Sequence, residues 1–367
     1  MSMSAVEWKK LGDVCEVGTG SNNREDACYN GLYPFYVRSK DVLRINKYLF
    51  DEEAIIIPGE GGIGDIFHYA NGKYGLHQRA YRVHPIDDEV VCKYLYYYLS
   101  DKFKQYIISK SVGATATSIR KPMLEGFMLP IPSLAKQQEI VSHLDTFTSL
   151  ISNLESELDM RRKQYEHYRN QLLDFEGVEG VEWKTLGEVC DVFDGTHQTP
   201  QYTDFGVKFV SVENINDPYS SKKYISLEDY DSKYKTKPRR NDVLMTRIGD
   251  VGTCYILDKN EPIAYYVSLA LLRPNSDFVT SGYIKDIVES RTGKGELRKR
   301  TLLTAVPLKI NLGEISKIKI PIPSLSTQQE IVSKLDAFEN LIQSLEQEIK
   351  LRKQQYEYYR EKLLTFE

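Results

Sequence analysis

Pro130-Ile131-Pro132-Ser133-Leu134-Ala135-Lys136-Gln137-Gln138-Glu139-Ile140-Val141 opens a segment that runs to Glu176. It returns 191 residues later as Pro321-Ile322-Pro323-Ser324-Leu325-Ser326-Thr327-Gln328-Gln329-Glu330-Ile331-Val332, running to Glu367. About three residues in five are identical between the copies, and self-similarity of this length decides architecture before local propensity does. Each copy is announced by Pro-x-Pro-Ser-Leu, an extended stretch that cannot be helical, with Ser133 or Ser324 placed to cap a helix starting just after it. An apolar seam then steps by four and three: Ile140, Leu144, Phe147, Ile151, Leu154, Leu158, Arg161, Tyr165, Tyr168, Leu172, Phe175. The second copy reads Ile331, Leu335, Phe338, Ile342, Leu345, Ile349, Arg352, Tyr356, Tyr359, Leu363, Phe366. An unbroken heptad predicts a coiled-coil helix, roughly 54 Å long for about 36 residues. Two matching seams in one chain predict that the helices pair with each other.

A second word repeats upstream. Glu7-Trp8-Lys9-Lys10-Leu11-Gly12-Asp13-Val14-Cys15 returns as Glu182-Trp183-Lys184-Thr185-Leu186-Gly187-Glu188-Val189-Cys190. Between the repeated words the halves diverge, leaving echoes such as Ile63-Gly64-Asp65-Ile66 against Ile248-Gly249-Asp250-Val251, and Phe35-Tyr36-Val37 against Phe209-Val210-Ser211. The divergent parts hold short β-branched runs bounded by turn residues: Ala54–Gly59, Asp242–Arg247, Thr253–Leu257. These predict strands and hairpins. Helices are expected over Val90–Lys110 and Val279–Arg300, and a linker at Gly177-Val178-Glu179-Gly180. The expected order is a first variable domain over 1–132, a helix over 133–176, a second variable domain over 177–323 and a second helix over 324–367. The fold class is α+β: two mixed α/β domains, two long helices pairing antiparallel, and an internal pseudo-twofold repeat.

The net charge of −4 is unevenly spread. Lys136–Glu176 holds five basic and eight acidic residues, and Ser326–Glu367 six and eight. By contrast, Lys93–Lys121 and Arg291–Lys309 each hold six basic residues and one acid, and Pro218–Ile248 holds eight and four. Basic runs interleaved with Tyr and short polar side chains suit a surface that meets phosphates and base edges. A solvated face explains any one run, but less well the same pattern in both halves. No stretch nears the roughly 18 apolar residues of a membrane span, and Met1–Lys10 does not read as a secretory signal. Five cysteines without a Cys-x-x-Cys pair point to a reducing, cytoplasmic setting and away from a disulfide framework.

Several tempting motifs fail on inspection. Gly59-Glu60-Gly61-Gly62-Ile63-Gly64 matches a dinucleotide-binding pattern, but Asp65–Gly72 after it reads as a strand and a turn and not the required helix. Asn216-Asp217-Pro218-Tyr219 resembles an amino-methyltransferase motif with Asp in place of Pro, and turn chemistry explains it. The six histidines lack metal spacing. Cys15 and Cys190 hold matching repeat positions in apolar context, which suits core packing. No catalytic constellation emerges, and no cofactor or metal is expected in this chain.

The layout and the words resemble the specificity subunit of type I restriction–modification enzymes, over essentially the whole chain. The carrying residues are Trp-Lys-x-Leu-Gly-[Asp/Glu]-Val at 8–14 and 183–189, and Pro-Ile-Pro-Ser-Leu-x-x-Gln-Gln-Glu-Ile-Val at 130–141 and 321–332. Asp194-Gly195-Thr196-His197-Gln198-Thr199-Pro200, followed by Phe209–Ile215, resembles the opening of one such domain. The resemblance implies a non-catalytic DNA-reading adaptor in which each variable domain is a target-recognition domain reading half of a split double-stranded site. It implies helices that pair antiparallel and hold the domains apart. It implies as partners two modification subunits that methylate adenine with S-adenosylmethionine, and restriction subunits as further partners. Two alternatives stand: a recognition fragment of a DNA adenine methyltransferase, and a coiled-coil scaffold without a DNA role.

The expected DNA contacts in the first half are Ser21, Asn22, Asn23 and Arg24, then His77, Gln78 and Arg79, then Arg120 and Lys121. In the second they are Thr196, His197 and Gln198, then Arg239, Arg240 and Arg247, then Arg298, Lys299 and Arg300. Arg and Lys suit guanine or phosphate, Asn and Gln suit adenine. Arg161 and Arg352 occupy a heptad position that is otherwise apolar or aromatic, and are expected to fix register. Antiparallel pairing about Leu158 and Ile349 sets Arg161 near Leu345 and Glu346, and Arg352 near Leu154 and Glu155. The acids are the expected partners, with snorkelling into water as the alternative.

Overall fold

The two repeated words of each half are hydrogen-bonded neighbours. In the computed structural model, which describes residues 6–62, 64–110 and 118–366, β1 (Glu7–Lys10) pairs antiparallel with β8 (Met128–Ile131), setting Trp8 opposite Pro130. β9 (Glu182–Thr185) pairs in the same way with β17 (Lys319–Ile322), setting Trp183 opposite Pro321. Two-stranded ribbons tolerate the prolines, because a strand at an edge need not donate on both sides. One-turn helices follow, α1 (Leu11–Val14) and α5 (Leu186–Val189), each burying its Leu and Val. The Leu11 and Leu186 amides donate to the Phe127 and Ile318 carbonyls, both at 2.8 Å.

The chain divides into two compact units, Met1–Glu155 with Gln347–Glu367, and Ser156–Glu346. The first is built on β2 (Cys15–Thr19), β3 (Tyr33–Tyr36), β4 (Leu43–Ile45), β5 (Phe50–Pro58), β6 (His68–Leu76) and β7 (Ala80–Pro85). They form one sheet in the order β2-β7-β5-β6-β3-β4, antiparallel except for β3 beside β6. The apolar run of β5 is buried on both faces. Ile55 and Ile57 face α2 (Cys92–Lys110) and α3 (Lys121–Glu125), while Ala54 and Ile56 face a second cluster with Tyr36, Tyr74 and Leu76.

The second unit repeats this path with β10 (Cys190–Asp194), β11 (Val207–Val210), β12 (Tyr224–Ile225), α6 (Leu227–Lys233), β13 (Val243–Thr246), β14 (Cys254–Ile256), β15 (Ile263–Tyr265) and β16 (Leu269–Pro274). β11 runs parallel to β15 as β3 does to β6. The single strand β6 is here broken into β14 and β15, which belong to separate sheets, β10-β16-β13-β14 and β12-β11-β15. Asp258-Lys259-Asn260-Glu261-Pro262 lies at the break, ending on a residue that cannot donate to a ladder. The helix expected over Val279–Arg300 is two, α7 (Ser281–Glu289) and α8 (Arg291–Arg300), before α9 (Leu312–Ile315). Ser290 is extended between them, and its hydroxyl donates to the Ile287 carbonyl and accepts from the Gly293 amide. One serine thereby closes one helix and opens the next.

The glycine-rich stretch is the turn between β5 and β6, with positive φ at Gly61, Gly62 and Gly64, and Gly249 takes the same conformation between β13 and β14. Ile63 of that stretch lies outside the described residues. Asn216–Tyr219 runs into a short turn of 3-10 helix at Pro218–Ser220. Cys15 and Cys190 are buried in the two cores, and burial pushes both thiols well up, Cys190 to about 12.

The repeated segments form α4 (Leu134–Leu172) and α10 (Leu325–Leu363), 39 residues each. The Ser133 and Ser324 hydroxyls accept from the Lys136 and Thr327 amides at 3.4 and 3.2 Å. In the first unit Phe147 stacks on Tyr359 at 5.5 Å and Lys353 pairs with Glu155 at 2.6 Å. In the second the equivalent contacts recur: Phe338 stacks on Tyr168 at 5.3 Å and Arg162 pairs with Glu346 at 2.6 Å. Numbers rise on one helix as they fall on the other, so the pairing is antiparallel. The seam is not spent on pairing alone. Ile140 and Leu144 enter the first core, together with Tyr356, Leu363, Leu364 and Phe366. Ile331 and Leu335 enter the second, together with Tyr165, Leu172, Leu173 and Phe175.

Candidate nucleic-acid interface

In the first unit, the chain leaving β2 passes Gly20, where a Cβ would lie 1.8 Å from the Leu76 carbonyl oxygen. Only glycine permits that approach. It lays Asn22 beside His77 as a parallel bridge: the Asn22 amide donates to Leu76 at 3.2 Å and the Gln78 amide to the Asn22 carbonyl at 3.0 Å. The Gln78 side-chain amide donates to Asn23 Oδ1 at 2.6 Å. Ser21–Arg24 and His77–Arg79, 50 or more residues apart in sequence, are thus one cluster. His77 is buried, its Nδ1 accepts from the Arg79 amide at 3.0 Å, and burial, with Arg38 and Arg79 nearby, holds its pKa below the usual imidazole value. It is a neutral brace more than a cationic contact. Arg24, Arg38, Ser39, Glu60 and His77 line a cavity of about 270 Å³. Glu60 Oε2 accepts from Arg38 Nη1 at 2.9 Å and Arg79 Nη1 at 3.1 Å, and the two guanidiniums hold its carboxyl below the usual range. Gly59 accepts from the Ile119 amide at 2.8 Å and donates to the Arg79 carbonyl at 3.0 Å, so the chain leading into Arg120 is tied to the cluster. Lys121 turns to Glu125 at 3.5 Å. Within the basic stretch Lys93–Lys121, residues 111–117 lie outside the described residues.

The second unit rebuilds this scaffold with other residues. A Cβ on Gly195 would lie 2.4 Å from the Tyr266 carbonyl oxygen, and Thr196 bridges Tyr266 as Asn22 bridges His77. Asp194 organises the cluster: its Oδ2 lies 2.9 Å from His197 Nε2 and its Oδ1 accepts from Arg247 Nη1. Thr196 Oγ1 accepts from the Gln198 amide at 3.3 Å. The chain beyond α8 runs alongside, since Lys309 bridges both Ile248 and Leu302. Lys299 and Arg300 both turn onto Glu296 at 2.7 Å, which neutralises much of that run, while Arg298 is exposed. Arg239 and Arg240 do not join the cluster. They lie in the turn that precedes β13, and Arg247 follows it, so the length of that strand separates them. They line a separate groove of about 680 Å³ with Arg273, Ser281 and Val332.

Arg161 and Arg352 keep to their own helices. Arg161 bonds Gln164 at 3.1 Å and Glu157 at 3.3 Å, and Arg352 bonds Gln355 at 3.0 Å and Glu348 at 3.4 Å. The acids expected to face them, Glu346 and Glu155, are taken by the neighbours Arg162 and Lys353. The register falls where expected, but these cross-helix pairs are made one residue along.

Sequence reasoning passed over Arg38, Glu60 and Asp194, whose arginine or glutamate partners lie 19 to 53 residues away. Gln137 and Gln328 belong to the repeated words, but their role is visible only in the fold. Both are fully buried, and each ties the segment before its own helix to the loop before α2 or α7. Gln137 donates to the Pro132 and Glu89 carbonyls and accepts from Val91; Gln328 donates to Pro323 and Phe278 and accepts from Thr280. Among the described residues no group of three or more His, Cys, Asp or Glu could hold a metal ion, and no helix is long and apolar enough to cross a membrane.

Comparison with known proteins agrees with this architecture. The type I restriction modification DNA specificity domain matches twice, over residues 3–160 and 178–351. The EcoR124I/EcoR124II specificity subunit of Escherichia coli is 34% identical over 307 residues, covering 76% of this chain and 72% of that protein. A putative type I restriction enzyme specificity subunit of Haemophilus influenzae is 28% identical over 389 residues, covering 99% and 96%. The crystal structure of the type I S subunit from M. genitalium superposes with a TM-score of 0.65 at 15% identity, covering 99% of this chain and 97% of that one, a likeness of fold. Two copies of the domain, each ending in the repeated helix, place this chain in the family of type I restriction–modification specificity subunits, which recognise DNA and leave catalysis to their partners.

Proposed function

We propose that each unit reads one half of a split double-stranded DNA site, the first through Ser21–Arg24, His77–Arg79 and Arg120, the second through Thr196–Gln198, Arg247 and Arg298. The observation that carries this is the double construction: one strand-end scaffold, closed by Gly20 in one unit and Gly195 in the other, presents unlike polar residues each time. A shared scaffold with different side chains is what two readers of different sequences require. Lys121, Lys299 and Arg300, held by their own acids, supply backbone contacts at most, and Arg239 and Arg240 stand apart as phosphate contacts. Two modification subunits use the repeated helices as equivalent docking elements, restriction subunits join them, and S-adenosylmethionine is bound by the modification subunits. The cytoplasm is the setting.

The test is an exchange. Residues 20–128 are replaced by the equivalent segment of another family member, the chain is expressed with its methyltransferase partner, and methylated adenines are mapped genome-wide. One half-site changes and the other persists. A methylome in which both halves change together would defeat the two-reader assignment.

A further inference from the structure

We infer that Glu60 and Asp194 are specificity-determining residues, each a carboxylate that positions two basic side chains so that its cluster discriminates bases instead of merely gripping phosphates. The inference rests on the assignment of these clusters as the DNA-reading sites.

Glu60 lies in the turn after β5, Arg79 in the turn after β6, and Arg38 after β3. One oxygen, Glu60 Oε2, joins all three loops, at 2.9 Å to Arg38 and 3.1 Å to Arg79. A guanidinium carries five N–H donors, so each arginine commits one and keeps the rest for a ligand. Two guanidiniums sharing an oxygen are also close to one another, and this carboxylate offsets their repulsion. In the second unit the polarity is inverted. The acid comes from the end of β10 and the cation, Arg247, from the end of β13, with His197 on the second carboxylate oxygen at 2.9 Å. The residues do not correspond in the repeat, yet the arrangement of one acid between two basic groups recurs. Each cluster also retains a buried polar atom without a partner among the described residues, Asn22 Oδ1 in one and Arg247 Nε in the other.

A free arginine follows any phosphate and adds affinity without sequence information. A held arginine offers a planar set of donors in one place, which matches the paired acceptors of a guanine edge. The carboxylate also repels phosphate, which penalises loose engagement of the wrong DNA, and can itself accept from cytosine.

The experiment uses the chain in complex with its methyltransferase partner, with half-sites defined by adenine-methylation mapping. Four variants are compared: Glu60→Gln, Glu60→Asp, Asp194→Asn and Arg79→Ala. Glu60→Gln is expected to blur the first half-site, lowering discrimination about tenfold, the low end for one bidentate base contact, while the second half-site stays sharp. Its binding to random duplex holds or tightens, and the salt dependence steepens by about one phosphate contact. Asp194→Asn gives the mirror result, and Glu60→Asp restores part of the lost discrimination. A Glu60→Gln complex with both half-sites sharp overturns the proposal. So does one that loses both together, since that marks a scaffold role. If Arg79→Ala blurs the first half-site and Glu60→Gln does not, only the positioning role fails. If Arg79→Ala also leaves it sharp, the assignment of the reading cluster itself fails.

Discussion

Asp286 lies on α7 at 3% exposure, with Lys285, Glu289, Asp336 and Glu339 around it. Burial is the main cause that pushes its carboxyl up to about 7; Lys285 opposes this, and the neighbouring acids add to it. The first unit solves the same position differently. There Tyr97 and Lys93 hold Asp145, the repeat equivalent of Asp336, at 2.6 and 2.7 Å. A carboxyl whose folded pKa exceeds its unfolded value binds its proton more tightly when folded. Its contribution is therefore complete below about pH 4 and is lost as pH rises through about 7. Asp286→Asn should flatten the pH dependence of the second unit and stabilise it at pH 8, by on the order of 2 kcal/mol. Melting curves at pH 5.5 and 8 decide this, and a variant less stable at pH 8 would show that the charged form is worth keeping beside Lys285.

Helices and strands were legible wherever a local pattern has one reading. The run Ala54–Gly59 reads as a strand, and the Pro-x-Pro-Ser-Leu segments read as the lead-in to helices, as found. The seam was legible as a stripe that pairs with its own copy, but not that its ends also enter the domain cores, because a helix on a core and a helix on another helix demand nearly the same spacing. The Gln137 clamp and the Glu60 link were not legible. A buried amide looks like an exposed one in sequence, and the link depends on turns that bring distant loops together. The helix pair also offers a comparison of forces. Arg161 and Arg352, with side chains 38% and 40% exposed and bonded within their own helices, should tolerate a double change to Leu within about 1 kcal/mol. Phe147→Ala and Phe338→Ala remove a stacked ring each and should cost about 2–4 kcal/mol apiece. Thermal denaturation of the two double variants separates ring stacking from charge. If the Leu pair proves the costlier, register is held by the arginines, as their heptad position suggests.

At the scale of the molecule, the two units differ in how the chain assembles them. The second is one continuous run, Ser156–Glu346, whereas the first joins Met1–Glu155 to Gln347–Glu367. Tyr356, Leu363 and Phe366 pack against the first core and Leu364 is buried in it, and the Phe366 ring meets Tyr94 and Tyr98 at 6.4 Å. On a ribosome, the half translated first is therefore the half finished last. The later unit can close as soon as its own residues emerge, while the earlier one waits, aromatic surface open, for residues 347–367. A chain stopped after Glu346 should show a protease-resistant second unit and a readily cleaved first one, and adding back residues 347–367 should protect both. Equal resistance of the first unit with and without those residues would mean that synthesis order and folding order coincide.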